Sequence, residues 1–221
     1  MKLKKIASLM LAGVMAVSML AGCSNGTKPD DDKKDPVVNT GLTGSVIAAL
    51  DEDTTKNVTF SADSNLQAVL EKAVKNVGYN GLNDLKSIAT TMIAIDSDLG
   101  KYAPLPGVTM SSNKSSTEAT DKETQTAVGL VYVAGEGQNE STIAKALASK
   151  IDGEKIYEYG SGSWSDLPTD SRNYTDKDGE YWYDFAYTAG VASVEVSDAV
   201  NGQTAYVVAY TVTRTPAKSY K

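Results

Sequence analysis

Histidine is absent from the 221 residues, and cysteine occurs once, at Cys23. Without histidine there is no Ser-His or Cys-His triad, no imidazole proton shuttle at neutral pH, and none of the usual zinc sites. A lone cysteine closes no internal disulfide, so the folded part must stand on its own core. Basic charge is also short: 21 Lys and Arg stand against 28 Asp and Glu, a net charge of −7. An acidic chain gains nothing from phosphate backbones, so nucleic acid is not an expected partner. Long hydrophobic runs are lacking too. The uncharged apolar stretch Ile6 to Leu20 has fifteen residues, short of the ~20 that a membrane-spanning helix requires.

That stretch follows Lys2, Lys4 and Lys5 and reads as a secretory signal, outside the fold. It ends in Leu20-Ala21-Gly22-Cys23, which resembles the lipobox of bacterial lipoproteins. The resemblance covers residues 1–23, with a basic start, an apolar core, Leu, two small residues and Cys in order. It implies that residues 1–22 form a signal peptide that is removed. It further implies that the Cys23 thiol receives a diacylglyceryl group and that Cys23 becomes the mature N-terminus. The expected location is the extracytoplasmic face of the cell membrane, with two acyl chains holding the protein where one would not. Removing residues 1–22 takes away three lysines and no acid, so the net charge falls from −7 to −10. Anionic headgroups repel such a chain, which leaves the lipid on Cys23 as the main attachment.

Residues 23–45 read as the lipidated cysteine and a polar tether. The segment after Cys23 carries charge blocks, two prolines and three glycines, and cannot offset its ordering entropy by burial. Residues 46–221 read as one α+β extracytoplasmic domain. From Ser64, the apolar residues Leu66, Val69, Leu70, Ala73, Val74 and Val77 recur on one helix face. Ser64 with Gln67 fits a capping box, and Gly78 fits the stop. A second helix follows Asn83 as cap, with Leu85, Ile88, Ala89 and Met92 on one side, although its β-branched end could run on as strand. Residues 107–125 are polar and Ser/Thr-rich; they form either a mobile lid or a division between subdomains. Ala127 to Gly135 reads as a buried strand leading into a helix from Ser141 to Ile151. After that the pattern is β, with tight turns expected at Asp178-Gly179 and Asn201-Gly202. A two-residue loop at Asn201-Gly202 pairs Val196 with Val207 and gives one apolar and one mixed face. The expected architecture is two early helices and a later one, packed on one side of an antiparallel sheet with aromatic-rich hairpins.

Little in the sequence carries chemistry. Gly135-Glu136-Gly137 lacks the third glycine of a dinucleotide fingerprint, where Glu140 stands instead. The "DKDGE" stretch, Asp176 to Glu180, fails as a calcium loop because Tyr174 and Phe185 occupy the terminal ligand positions. Asp51-Glu52-Asp53 and Asp96-Ser97-Asp98 read as solvated acidic loops. No metal and no cofactor is expected. Catalysis would rest on paired carboxylates, drawn from Glu158, Asp166, Asp170, Glu180 and Asp184.

Aromatics are the one concentrated resource: nine of the sixteen fall within residues 157–187. Strand alternation puts Tyr181, Tyr183, Phe185 and Tyr187 on one face, with Glu180, Trp182, Asp184 and Ala186 on the other. The aromatic face either packs on helices, which burial preferences favour, or forms an exposed platform. Trp164, in "GSGSWSDLP", either folds over the core edge or stacks on a ligand. The expected role is a non-catalytic binding module for a cell-wall glycan or surface protein, with Trp164, Tyr174, Tyr181 and Tyr183 as its candidate surface. A carboxylate-dependent enzyme acting on glycans and a structural subunit of a surface assembly are the alternatives.

Overall fold

The computed structural model describes residues 41–82, 84–100, 117–135, 137–154, 163–198 and 200–221. Cys23, the signal segment, Asn83, most of the 107–125 stretch, and Tyr157, Glu158 and Tyr159 lie outside these residues. The described elements run α1 (Gly41–Ala48), α2 (Glu52–Thr55), β1 (Val58–Ala62), α3 (Ser64–Val77), α4 (Leu85–Ile95), α5 (Glu118–Asp121), β2 (Gln125–Ala134), α6 (Glu140–Asp152), β3 (Tyr174–Asp176), β4 (Gly179–Ser197) and β5 (Thr204–Tyr220). The protein is an α+β fold built on a five-stranded, mostly antiparallel sheet of order β1-β4-β5-β2, with β3 beside the start of β4. Only β1 runs parallel to its neighbour.

Local chemistry sets the helix ends. Asp63, not Ser64, caps α3: its carboxylate accepts from the Asn65 and Leu66 amides, a contact worth about 1 kcal/mol. Gly78 ends the helix as expected, at a φ of 71° with its N–H on the Val74 carbonyl. Asp84 caps α4 through the Ser87 amide. The β-branched end of α4 stays helical to Ile95 because Ile88, Ala89 and Met92 are buried on one side of it. Helix α1 starts at Gly41, inside the stretch read as tether, and its Val46 is fully buried.

The helices divide between both faces of the sheet, which corrects the expected single layer. Alternation along β5 sends Val208, Tyr210 and Val212 one way, onto Val46 of α1 and Ile143, Leu147 and Ile151 of α6. It sends Ala205, Val207 and Ala209 the other way, onto Leu66, Leu70 and Val74 of α3 and Ile88 and Met92 of α4. Tyr206 and Tyr210 make one face look mixed in the sequence, but the ring of Tyr210 is buried whole. Each fully buried Leu or Ile contributes about 1.5–3 kcal/mol. Gly129 lies directly across from Tyr210, and a β-carbon there would stand 2.2 Å from its ring.

The β4–β5 register differs from the tight-turn expectation by two residues. Val194, not Val196, pairs with Val207, and Val196 pairs with Ala205. Strands stop at Ser197 and resume at Thr204 because Asp198 organises a wider turn, accepting from the Val200 amide and the Asn201 side chain. A slip of two keeps every side chain on its face.

Candidate functional site

The four residues expected to form a binding surface do not form one. Trp164 opens a 3-10 turn and is 1% exposed. Its ring packs 5.5 Å from Phe60 and 5.9 Å from Tyr210, and its Nε1 donates to the Ile151 carbonyl at 2.8 Å. It is core. Tyr181 and Tyr183 are 3% and 8% exposed, and Tyr174 is half-buried. These three rings do come together, with centroids 5.6, 6.2 and 6.0 Å apart.

The tyrosine cluster is a closed structural joint. The Tyr181 hydroxyl donates to Glu118 at 2.7 Å and the Tyr174 hydroxyl to Asp121 at 2.6 Å. The Arg214 guanidinium donates to the Thr120 carbonyl at 2.9 Å while stacked 4.3 Å from the Phe185 centroid. Together these bonds hold α5 on the sheet. Charge tuning follows the contacts. The bond to Glu118, with burial second, pushes the Tyr181 hydroxyl up to about 12. Burial pushes Tyr174 up, helped by Asp121. Burial draws Arg214 down from its ordinary value. Lys218 donates to Asp176 at 2.8 Å, which raises the lysine and lowers the acid. The same ammonium lies 3.6 Å from the Tyr181 centroid, a favourable cation–π arrangement.

The opposite face of the same strands is open. Asp63 and the start of α3 reach Gly190, where a β-carbon would meet the Asp63 side chain at 2.7 Å. Beyond that point Thr188, Ala186 and Asp184 on β4, with Thr215 and Ala217 on β5, are exposed. Trp182, Ser219 and Thr213 are half-buried. The register aligns Thr59, Thr188, Thr213 and Thr126 in one row across β1, β4, β5 and β2. The Thr126 and Thr213 hydroxyls are 3.0 Å apart. At the end of this face the Trp182 Nε1 donates to Asp184 Oδ1 at 2.8 Å, and the Ser219 hydroxyl donates to Asp184 Oδ2. Those two bonds, the serine's first, hold the Asp184 carboxyl below the usual carboxylate range.

Asp184 has a second neighbour. Asp170 pairs directly across from it in an isolated bridge, a position that puts β-carbons about 4.5–5.5 Å apart. A retaining glycosidase places two carboxyl groups about 5–5.5 Å apart. A lowered Asp184 suits the ionised member of such a pair and not the proton donor, and both of its oxygens already accept bonds from Trp182 and Ser219. Asp166 is spent on capping the Ser163 amide at 2.9 Å, and Glu180 pairs with Lys221 at 3.0 Å. Among the described residues no group of three His, Cys, Asp or Glu side chains is arranged to hold a metal. Nor is any described helix long and apolar enough to cross a membrane.

Trp182 is the residue that aromatic density obscured. The alternation that grouped Tyr181, Tyr183 and Phe185 already set Trp182 on the other side with Asp184. No family model, curated protein or solved structure matches the chain.

Proposed function

We propose that this is a lipid-anchored protein of the extracytoplasmic membrane face that acts as a non-catalytic binding module. The "LAGC" motif at residues 20–23 supports the anchor, and mass spectrometry of native material should find Cys23 diacylated and N-terminal. The binding role rests on one observation: the β4–β5 sheet keeps an uncovered face around a half-buried tryptophan. The rings of Trp164, Tyr174, Tyr181, Tyr183 and Phe185 are spent on the core or the α5 joint. A flat face bearing an indole is costly to leave in water and gains most when a ligand covers it. The structural-subunit alternative has less support, since the exposed large apolar side chains among the described residues, Val200 and Tyr220, are single and separate in sequence.

The test is co-sedimentation of the full-length chain with isolated cell-envelope polysaccharide and protein fractions. Wild type should sediment with one of them, and Trp182→Ala should stay in solution. Equal sedimentation of both would move the contact elsewhere, and no sedimentation of wild type would remove the binding role.

A further inference from the structure

The open face differs from an ordinary solvated sheet surface in what it holds fixed. Trp182 could point its N–H into water, but it is tied to Asp184, on the same face two residues along. Ser219, directly across from Trp182, closes the other oxygen of the same carboxylate. The ring is therefore held in place before any ligand arrives, which lowers the ordering cost of binding. Asp184 also stands directly opposite Asp170. An indole immobilised on a carboxylate that a second donor also holds marks this end of the face as more than solvated surface.

Charge decides which occupant fits. Asp184 is held ionised, so it accepts hydrogen bonds and donates none. Each of its oxygens keeps a lone-pair site beyond the bonds from Trp182 and Ser219. A ligand must bring donors to it, and an anionic chain is repelled by the two carboxylates. From Trp182 to Thr188 the face runs six residues, ~20 Å, and past Asp184 its β4 and β5 positions are Ala186, Thr188, Thr213, Thr215 and Ala217. That stretch carries no charge, so a polycation would be held at one end only. The threonine row beyond continues across four strands, with hydroxyls and methyls repeating at ~4.8 Å. Such a surface suits a chain with apolar C–H faces and hydroxyl edges and no net charge.

We infer that the occupant is a neutral polysaccharide, lying along the open β4–β5 face with one sugar ring on the Trp182 indole and hydroxyls donated to Asp184. This deepens the binding role proposed above and rests on it. Small side chains at positions 186 and 217 let a pyranose ring lie flat between the indole and the threonines. The ring C–H groups cover the indole face, and the chain's hydroxyls exchange with Thr188, Thr213 and Thr215.

The experiment is calorimetric titration of the full-length chain in detergent with three kinds of hexamer. These are neutral hexasaccharides of glucose, mannose, galactose and N-acetylglucosamine, a hexagalacturonate, and hexalysine. At least one neutral hexamer should bind, and the charged ones should not. Trp182→Ala should weaken that binding about tenfold or more, and Trp182→Phe, which keeps a ring, should weaken it less. Thr188→Glu, which puts a charge on an exposed position, should also weaken it, with thermal melts confirming that each variant is folded. Trp182-dependent binding of hexalysine or hexagalacturonate alone overturns the saccharide and leaves the binding face. Neutral binding that is unchanged in Trp182→Phe, Trp182→Ala and Thr188→Glu overturns the assignment to this face. Silence from every hexamer while envelope fractions still sediment in a Trp182-dependent way overturns the saccharide, whereas loss of that sedimentation overturns the binding role itself.

Discussion

The β4–β5 ribbon has two halves held by different forces. From Ala189 to Ser197, paired with Thr204 to Val212, it lies between helices on both faces, and its contacts are mainly apolar, aliphatic and aromatic. From Gly179 to Thr188, paired with Thr213 to Tyr220, one face is joined to α5 by hydroxyls, carboxylates and the buried Arg214, and the other is open. Burial of apolar area is non-directional and tolerates small shifts. Hydrogen bonds to ionised partners fix geometry and answer to pH. The near half thus supplies stability, and the far half supplies a shaped, rigid surface that need not be large to be useful.

Substitutions should separate the halves. The largest loss is expected from Trp164→Ala in the near-half core, about 3–5 kcal/mol in chemical denaturation, since it deletes a fully buried ring and its bond to the Ile151 carbonyl. A loss within experimental error would show that the ring is not core. Arg214→Ala follows at about 1.5–3 kcal/mol, because the Thr120 carbonyl loses a charged donor and the Phe185 ring loses its stacked cation. Hydrogen exchange should locate the damage at α5 and the far strands first; uniform loss of protection would merge the two halves into one. Gly129→Ala should lose about 1–3 kcal/mol by driving a methyl into the Tyr210 ring.

The smallest effect is a matter of pH. Tyr181 titrates at about 12 in the folded protein and near 10 when unfolded. Its contribution is whole below the unfolded value and is lost as pH rises through the folded one. Lys218, also raised, acts in the same direction, whereas lowered Asp176 loses its contribution on the acid side. Melting temperature should therefore fall more steeply above pH 10 in wild type than in Tyr181→Phe, and parallel curves would break the link to Glu118.

Elements with one dominant signal were legible in the sequence. The α3 stripe, the Gly78 stop, the α6 face and the strand before it stand where periodicity puts them. Tertiary competition hid the rest. The second helical layer was invisible because Tyr206 and Tyr210 imitate a wet face, and only packing shows that their bodies are covered. The cap at Asp63 was overlooked because the neighbouring Ser64 is an equally good cap by type. The turn at Asn201-Gly202 yielded to Asp198, whose carboxylate accepts from Val200 and Asn201 and widens the loop. For the site, clustering of aromatics pointed to Trp164 and the tyrosines, and burial withdrew them. What separates Trp182 from them is the parity of its position.

Trp182 is also where the account is most open to test. The chain has two tryptophans, so a nitrogen–proton correlation spectrum of the indoles holds two signals, assigned by their loss in Trp182→Phe. On addition of a bound neutral oligosaccharide, the Trp182 signal should move and the Trp164 signal should hold still. Saturable binding that leaves Trp182 unmoved, or that moves Trp164 alone, would contradict the assignment of the open sheet face.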